Sequence, residues 1–187
     1  MLDKLRESLN KCTSCSLHLG RNNIVFSDGP VAAKIMLIGE APGADEDKQG
    51  VPFVGRAGKL LNEFLEKAGI KRGEDIYIAN TVKCRPPENR KPTPLEKSAC
   101  EGNLKKQIDA VKPKVIVLCG ATAMESFIKD KKLTITKARG QVFEYENGIK
   151  LVPVFHPSYL LRQHSLEVNS PRDLMLKDLK MIKEMAK

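Results

Sequence analysis

Short apolar stretches recur along the chain and alternate with segments whose apolar residues follow a helical period. Four of the stretches are nearly continuous and rich in β-branched residues, which is typical of buried strands in a parallel sheet. They are residues 34–39 (KIMLIG), 75–80 (DIYIAN), 114–120 (KVIVLCG) and 151–155 (LVPVF). The pattern therefore predicts a sheet whose strands are separated by helices.

Helix signals lie between and after these strands. TPLE at residues 93–96 combines an N-cap threonine, a proline at the first helical position and a capping-box glutamate, and it predicts a helix toward Val111. SPRD at residues 170–173 repeats this start for a final helix. Between the first two strands, apolar residues recur at helical spacing; they are Leu60, Leu61, Phe64, Leu65 and Ala68.

The connections complete the predicted fold. Asn147-Gly148 reads as a tight hairpin turn that leads into the last strand. We therefore expect an α/β fold, a three-layer α/β/α sandwich with a mostly parallel central sheet and one antiparallel hairpin. No repeat, low-complexity tract or composition break divides the 187 residues, so a single domain over residues 1–187 is expected.

The chain is strongly basic. It holds 32 Lys and Arg against 23 Asp and Glu, a formal net charge of +9. Such a balance favours a polyanionic partner such as nucleic acid. No apolar run reaches the roughly 18 residues of a membrane span. No secretory signal pattern opens the sequence and the cysteine count of five is odd, so we expect a cytoplasmic protein with no membrane partner and no disulfide framework.

Four of the five cysteines stand out by their spacing. Cys12 and Cys15 form a C-x2-C pair, and Cys84 and Cys100 follow as distant single residues. Converging thiolates hold zinc or an iron-sulfur cluster, and the long separation of the later two favours a cluster over zinc, whose ligands tend to come in short pairs. Unrelated buried thiols are the alternative. Cys119 lies in an apolar strand and is expected in the core.

Glycine-rich sequence follows the first predicted strand, at the edge where open α/β sheets bind ligands. It consists of GEAPGADED (residues 39–47) and GVPFVGRAGKLL (residues 50–61). Neither segment is a Walker A loop or a G-x-G-x-x-G fingerprint, and the acidic residues would repel phosphate. The stretch therefore favours a neutral ligand, with a purely structural strand-to-helix turn as the alternative.

These motifs extend over most of the chain. Besides the cysteines and the two glycine-rich segments, they include the strand that ends at Asn80, RPPENR at residues 85–90 and HPSYLLR at residues 156–162. Together they resemble the family-4 uracil-DNA glycosylases, the iron-sulfur branch of the uracil-DNA glycosylase superfamily. The resemblance covers nearly the whole sequence.

That resemblance implies hydrolysis of the bond between uracil and deoxyribose in DNA, the first step of base-excision repair, by a monofunctional enzyme that extrudes the base. It implies that Phe53 stacks on the base, that Asn80 reads its N3–H and O4 groups, and that Glu46 forms the wall that excludes the thymine methyl. Ala41 stands where the best-known branch of the superfamily has a water-polarising aspartate, so we expect it in the base pocket, without a general base.

The resemblance also implies roles in the chemical step. His156 is expected to donate from a neutral imidazole to uracil O2, where negative charge gathers as the bond breaks. Glu40 and Asn89 are the candidates for orienting the attacking water, which needs little activation when the transition state is an oxocarbenium ion. No lysine stands out as a Schiff-base nucleophile, so strand cleavage is not expected.

The HPSYLLR segment is expected to contact DNA. Tyr159, Leu160 and Leu161 would form an apolar wedge that fills the gap left by the extruded nucleotide. Ser158 is also expected to contact DNA, and Arg162 would contact phosphate. The alternative is that Leu160 and Leu161 pack beneath the final helix.

By the same resemblance, the four spaced cysteines would ligate a structural 4Fe-4S cluster beside the DNA-binding face; they are Cys12, Cys15, Cys84 and Cys100. Uracil-containing DNA is the expected partner of the protein. A sliding clamp or other repair proteins are further candidate partners, and a monomer is expected.

Three other functions compete with this interpretation. A non-enzymatic zinc or iron-sulfur nucleic-acid-binding module would explain the charge and the cysteines, but not Phe53, Asn80 and His156. A related branch bonds uracil covalently through a histidine between the motifs, but residues 85–91 contain no histidine. A hydrolase of free uracil nucleotides is the third, and comparing dUMP with uracil in an oligonucleotide would separate it.

Overall fold

A five-stranded sheet forms the centre of the described chain, which spans residues 2–187 of the computed structural model. Its strands are β1 (Ile35–Gly39), β2 (Ile76–Asn80), β3 (Val115–Cys119), β4 (Phe143–Glu144) and β5 (Lys150–Val154). The spatial order is β2-β1-β3-β5-β4. All neighbouring pairs are parallel except β4 and β5, which form the antiparallel hairpin. The four strands predicted from apolar runs are confirmed, each end within one residue.

Helices join the strands and cover both faces of the sheet. They are α1 (Leu2–Asn10), α2 (Ala44–Gln49), α3 (Arg56–Lys67), α4 (Pro94–Val111), α5 (Ala121–Phe127), α6 (Ile135–Ala138), α7 (Pro157–Leu160) and α8 (Pro171–Met185). Residues 44–49 lie inside the glycine-rich stretch, so part of that stretch is helical. None of the helices in residues 2–187 has the length and apolar character needed to cross a membrane.

Alternate residues of each strand point to opposite faces and give two cores. On one face, Leu37 and Val117 pack with α3 and α8. On the other face, Ile38 and Leu118 pack with α1, α4 and α5. The predicted three-layer α/β/α sandwich is therefore confirmed, and its sheet is buried on both sides as continuous apolar strands require.

Two local signals work as predicted. At the start of α4, the Thr93 N–H donates to Glu96 at 2.7 Å and the Glu96 N–H donates to Thr93 Oγ1 at 3.2 Å, a reciprocal capping box. In the hairpin, Asn147 and Gly148 have φ values of 57° and 76°. Both residues lie in the left-handed region that a tight hairpin turn requires.

Candidate active site

Three predicted side chains meet at the carboxyl edge of the parallel strands. Asn80 ends β2, opposite Gly39 at the end of β1. A Cβ built on Gly39 would lie 2.5 Å from Asn80 Oδ1 and 2.6 Å from the Phe53 ring. The Phe53 and His156 ring centroids are 5.9 Å apart. Phe53, Asn80 and His156 are referred to below as the strand-end trio.

Asn80 carries the unusual polar atom of this trio. The residue is only 2% exposed, and its Oδ1 has no hydrogen-bond partner within the described residues. Leaving a buried acceptor unpaired costs roughly 1–3 kcal/mol. The atom therefore points to a ligand that donates a hydrogen bond to it.

Phe53 is held in a backbone conformation that is rare for its residue type. Its φ is 53°, in the left-handed region, where a bulky residue is strained. Arg72 secures the conformation by donating to the carbonyls of Pro52 at 2.6 Å and Phe53 at 2.7 Å. Asp28 accepts from the same guanidinium at 2.8 Å. The aromatic ring is thus fixed before any ligand arrives.

His156 is oriented by the residue two positions after it. The Ser158 N–H donates to His156 Nδ1 at 3.1 Å, which places the proton of the neutral ring on Nε2. Burial lowers the pKa of His156, and the charges of Glu40 and Glu46 only partly oppose that shift. The imidazole is therefore a neutral Nε2–H donor at neutral pH. Gly120 makes room for it, since a Cβ there would lie 2.9 Å from His156 Cβ.

Glu40 lies beside the trio and is held at both ends. Its carboxylate accepts a hydrogen bond from Thr122 Oγ1, and its carbonyl accepts from Thr81 Oγ1 at 2.6 Å. Its charge raises the pKa of His156, which places the carboxylate within electrostatic reach of the ring. Glu40 can therefore orient a polar molecule near His156.

Glu46 organises the glycine-rich loops. Its carboxylate accepts from the backbone N–H groups of Gly43 at 3.1 Å, Val54 at 2.9 Å and Gly55 at 2.9 Å. All of these bonds are local to residues 43–55, so the carboxylate ties the start of α2 to the segment that carries Phe53. The sequence did not reveal this structural role.

Two other predicted residues are less closely linked to the trio. Asn89 is exposed, and its Oδ1 accepts from Arg85 Nε at 2.7 Å; within residues 2–187 no hydrogen bond joins it to the trio. Ala41 follows Glu40, and its side chain packs with a small apolar cluster around Leu17.

The HPSYLLR segment differs from its prediction at one residue. Tyr159 is 38% exposed, and Ser158 and Arg162 are also exposed. Leu160 is 0% exposed and belongs to the core that packs against α8. A side chain without exposed surface does not reach DNA, so Leu160 is removed from the predicted wedge. The alternative of packing beneath the final helix is correct for Leu160, and Leu161 also packs partly against that core.

All of the spaced cysteines line one cavity, which is referred to below as the cysteine cavity; they are Cys12, Cys15, Cys84 and Cys100. Apolar side chains form much of the remaining wall, among them Leu17 and Val82. Within residues 2–187, no three His, Cys, Asp or Glu side chains are grouped as ligands of a single metal ion. Four thiols around a largely apolar cavity are of the type and number that an iron-sulfur cluster requires. Cys119 is buried in β3, as predicted.

Basic groups accompany these thiols. Arg21 donates to Cys84 Sγ at 3.4 Å and to the Cys12 carbonyl at 2.8 Å. Lys83 lines the cavity and is only 1% exposed, and burial lowers its pKa to about 8. Burial raises the pKa of the Cys100 thiol, while the charge and backbone of Lys83 oppose that shift. Hydrogen-bond donors and positive charge are features that stabilise thiolates.

Glu96 connects the chain segments that bring the cysteines together. It accepts two hydrogen bonds from Arg90 at 2.7 and 2.8 Å and one from Ser16 at 3.3 Å. The bonds from Arg90 lead the effects that lower the pKa of Glu96 to about 2. The carboxylate thus joins α4 to the residue that follows Cys15 and to the proline-rich loop after Cys84.

Sequence reasoning missed Arg72, Lys83 and Thr122. Each acts on a partner distant in sequence or through a backbone carbonyl, and none lies in a recognisable motif of its own. The lone signal was at Lys83, a lysine next to a spaced cysteine just beyond an apolar strand.

Comparisons with known proteins agree with this geometry. The family model described as the uracil DNA glycosylase superfamily matches residues 26–180. The type-4 uracil-DNA glycosylase of Thermotoga maritima is 49% identical over 100% of this chain and 95% of its own length. That of Archaeoglobus fulgidus is 42% identical over 88% of this chain and 85% of its own, and that of Sulfurisphaera tokodaii is 40% identical over 99% and 84%. With the strand-end trio in place and similarity over almost its full length, the chain belongs to the uracil-DNA glycosylase superfamily, among the relatives of the type-4 enzymes.

Proposed function

We propose that this protein is a monofunctional uracil-DNA glycosylase, which hydrolyses the N-glycosidic bond of uracil in DNA and so starts base-excision repair. The single observation that carries the proposal is the buried, unpartnered Asn80 Oδ1 beside an aromatic ring and a neutral histidine. A non-enzymatic nucleic-acid module would have no use for such an unsatisfied acceptor, so it is not favoured.

Base recognition follows from the chemistry of Asn80. Uracil extruded from the duplex presents an N3–H donor and an O4 acceptor. The Asn80 Oδ1 would accept from N3–H, and its amide would donate to O4. Cytosine presents an acceptor at N3 and an amino donor at C4. Each would face an Asn80 atom of the same kind, so neither hydrogen bond would form. Phe53 would stack on the base from the position that Arg72 fixes.

Exclusion of thymine is proposed to depend on Glu46 in an indirect way. Its carboxylate is occupied by the N–H groups of Gly43, Val54 and Gly55. We propose that it fixes the loop backbone that walls the base pocket, with Ala41 nearby. A wall held in this way would clash with the C5 methyl group rather than move aside.

His156 is proposed to stabilise the departing base. As the glycosidic bond lengthens, negative charge develops on uracil O2, and the Nε2–H group would donate to it. Because the proton is already on Nε2 and the ring is neutral, the imidazole needs no reorganisation at that moment. Glu40 is proposed to orient the attacking water, since its charge acts on His156; Asn89, exposed and bonded to Arg85, is the weaker candidate for that role.

DNA is proposed to lie across the exposed part of the HPSYLLR segment. Tyr159 would enter the space left by the extruded nucleotide, while Ser158 and Arg162 would contact the backbone. The formal charge of +9 favours this partner, and its affinity should fall steeply with salt.

The cysteine cavity is proposed to hold a 4Fe-4S cluster through Cys12, Cys15, Cys84 and Cys100. Bound there, the cluster would supply cross-links between distant chain segments rather than a reactive centre. We further propose that residues 1–187 act as one domain, as a monomer in the cytoplasm. A sliding clamp or other repair proteins remain proposed partners.

One assay tests the proposal. Protein purified without oxygen is incubated with matched oligonucleotides that contain uracil, thymine or cytosine at one position, and with dUMP, and released free base is measured. Release from the uracil oligonucleotide alone, without strand cleavage, is expected. Absence of uracil release from iron-loaded protein, or an SDS-stable adduct with DNA, would overturn it. Iron and sulfide are measured on the same sample.

A further inference from the structure

A buried lysine lies between the two sites. Lys83 is 1% exposed, three residues after Asn80 and next to Cys84. Burying an ammonium group is costly unless it is paired with hydrogen-bond acceptors or opposite charge. The base chemistry described above gives Lys83 no role, and its contacts indicate what it does.

On one side Lys83 contacts the residue that reads the base. Its Nζ donates to the Asn80 carbonyl at 2.8 Å. The carbonyl lies at the end of β2, where the chain leaves the sheet, so this bond fixes the peptide group next to the Asn80 side chain. The orientation of the unpartnered Oδ1 therefore depends on the hydrogen bond from Lys83 Nζ to the backbone of the same residue.

On the other side Lys83 faces the cysteine cavity. It lines that cavity together with Cys84 and Cys100, and it is adjacent to Cys84 in the sequence. Four thiolates make a cysteine-ligated site electron-rich, and a nearby positive charge stabilises it further when it accepts an electron. The ammonium thus donates to a carbonyl on the base side, and the residue lines the cavity of the thiols on the other side.

We propose that Lys83 is a positioning residue that connects the two sites, orienting Asn80 for the base and supplying buried positive charge to the sulfur ligands. The part of the inference that concerns Asn80 rests on the proposed function. The part that concerns the cysteine cavity involves only this chain's residues around the thiols.

Arg21 and Asn80 provide matched controls, because each lies on one side only. Arg21 donates to Cys84 Sγ and the Cys12 carbonyl, on the cavity side. Asn80 lies on the base side. Variants Lys83→Met, Arg21→Met and Asn80→Ala therefore separate a connecting residue from residues that serve one site.

Two quantities are measured on each anaerobically purified variant: the reduction potential of the iron-sulfur centre by voltammetry, and KM and kcat for uracil release. Lys83→Met should shift the potential to more negative values, because a positive charge that favours the added electron is lost. It should also lower kcat/KM at least about tenfold, chiefly through KM, because Asn80 loses its support. Arg21→Met should shift the potential with a smaller change in KM than Lys83→Met gives, and Asn80→Ala should raise KM with a smaller shift in potential than Lys83→Met gives.

Several results would overturn the inference. If Lys83→Met keeps both the wild-type reduction potential and the wild-type KM and kcat, Lys83 does not connect the sites. If only the potential or only the kinetic constants change, Lys83 serves one site alone. If Lys83→Met does not fold, the wild-type protein decides: added free uracil should shift the reduction potential, and an unchanged potential counts against the connection. If wild-type protein with bound iron releases no uracil, the proposed function fails, whereas the potentials still test the cavity-side half.

Discussion

The strand-end trio and the cysteine cavity lie near the same edge of the sheet but are held together in different ways. Asn80 ends a strand, His156 follows one closely, and Phe53 lies in the loop between α2 and α3. Hydrogen bonds and backbone geometry fix these residues, as with Arg72 on the Phe53 loop. The cavity joins three segments distant in sequence, residues 12–15, 84 and 100, through Glu96 and the thiols. The geometry of the trio is therefore set by the fold itself, whereas the cavity gathers loops from distant parts of the sequence. Changes in the trio should therefore affect rate, and changes around the cavity should affect stability.

The largest effect is expected from His156→Ala. Loss of one preorganised donor to a developing anion should lower kcat by roughly 10²–10³-fold. The thermal midpoint and the visible absorption of the proposed iron-sulfur centre should stay close to those of the wild type, because the residue lies outside the cavity. Single-turnover uracil release measures the rate, and retention of full activity would remove His156 from the mechanism.

Acidic pH should reproduce part of that loss without a mutation. Burial places the pKa of His156 below its ordinary value, so the neutral ring persists at pH 7. As the pH falls through this lowered pKa, protonation breaks the acceptor role of Nδ1 toward Ser158, and kcat should fall about tenfold for each further pH unit. The acid limb should begin below the ordinary histidine pKa of about 6.5. If kcat already begins to fall above about pH 6.5, His156 does not act as a neutral donor at pH 7.

The next effect lies on the cavity side. Glu96→Gln removes the charge that pairs with Arg90 and should destabilise the protein by about 1–3 kcal/mol, a fall in thermal midpoint of about 2–4 °C per kcal/mol. Because the pKa of Glu96 is lowered to about 2, its contribution is present above the unfolded value near 4.5 and is lost as pH falls toward 2. Calorimetry at several pH values checks this.

A matched control accompanies Glu96→Gln. Glu144→Gln changes an exposed carboxylate on the edge strand β4 and should leave the thermal midpoint within about 1 °C, since surface pairs contribute little. The kcat of Glu96→Gln should remain within about twofold of wild type. A large fall in kcat of Glu96→Gln with an unchanged thermal midpoint would show that the cysteine cavity affects rate rather than stability, which would contradict the comparison with the strand-end trio.

The smallest effect is expected from Arg72→Lys. Lysine keeps the charge but cannot donate to the Pro52 and Phe53 carbonyls and to Asp28 in one plane. The Phe53 loop should loosen, raising KM about three- to tenfold with kcat little changed. Steady-state kinetics on the uracil oligonucleotide measure this change, and a fall confined to kcat would show that Phe53 acts in the chemical step.

Patterns local in sequence predicted most of the fold. The apolar runs located four strands because both faces of a parallel sheet are buried, and TPLE located the start of α4 because its capping box is a short-range contact. α2 was not foreseen because its sequence, ADEDKQ, is acidic and has little apolar periodicity. The bonds of Glu46 to residues 43, 54 and 55 are set by the fold.

The candidate site was predictable only where motifs mark it. Phe53, Asn80 and His156 lie in recognisable segments, and the structure brings them together. Leu160 was assigned to DNA as part of an apolar wedge, but the short helix α7 turns it into the core. Burial of a side chain in a four-residue helix depends on what packs beneath it, which a sequence pattern of that length does not specify.

Gly39 lets Asn80 and Phe53 approach each other closely because it has no side chain. One added carbon there would press at once on the base-reading oxygen and on the stacking ring, at 2.5 and 2.6 Å. Redesign of this enzyme toward bulkier lesions would therefore have to keep glycine at position 39, because any side chain there would displace both Asn80 and Phe53.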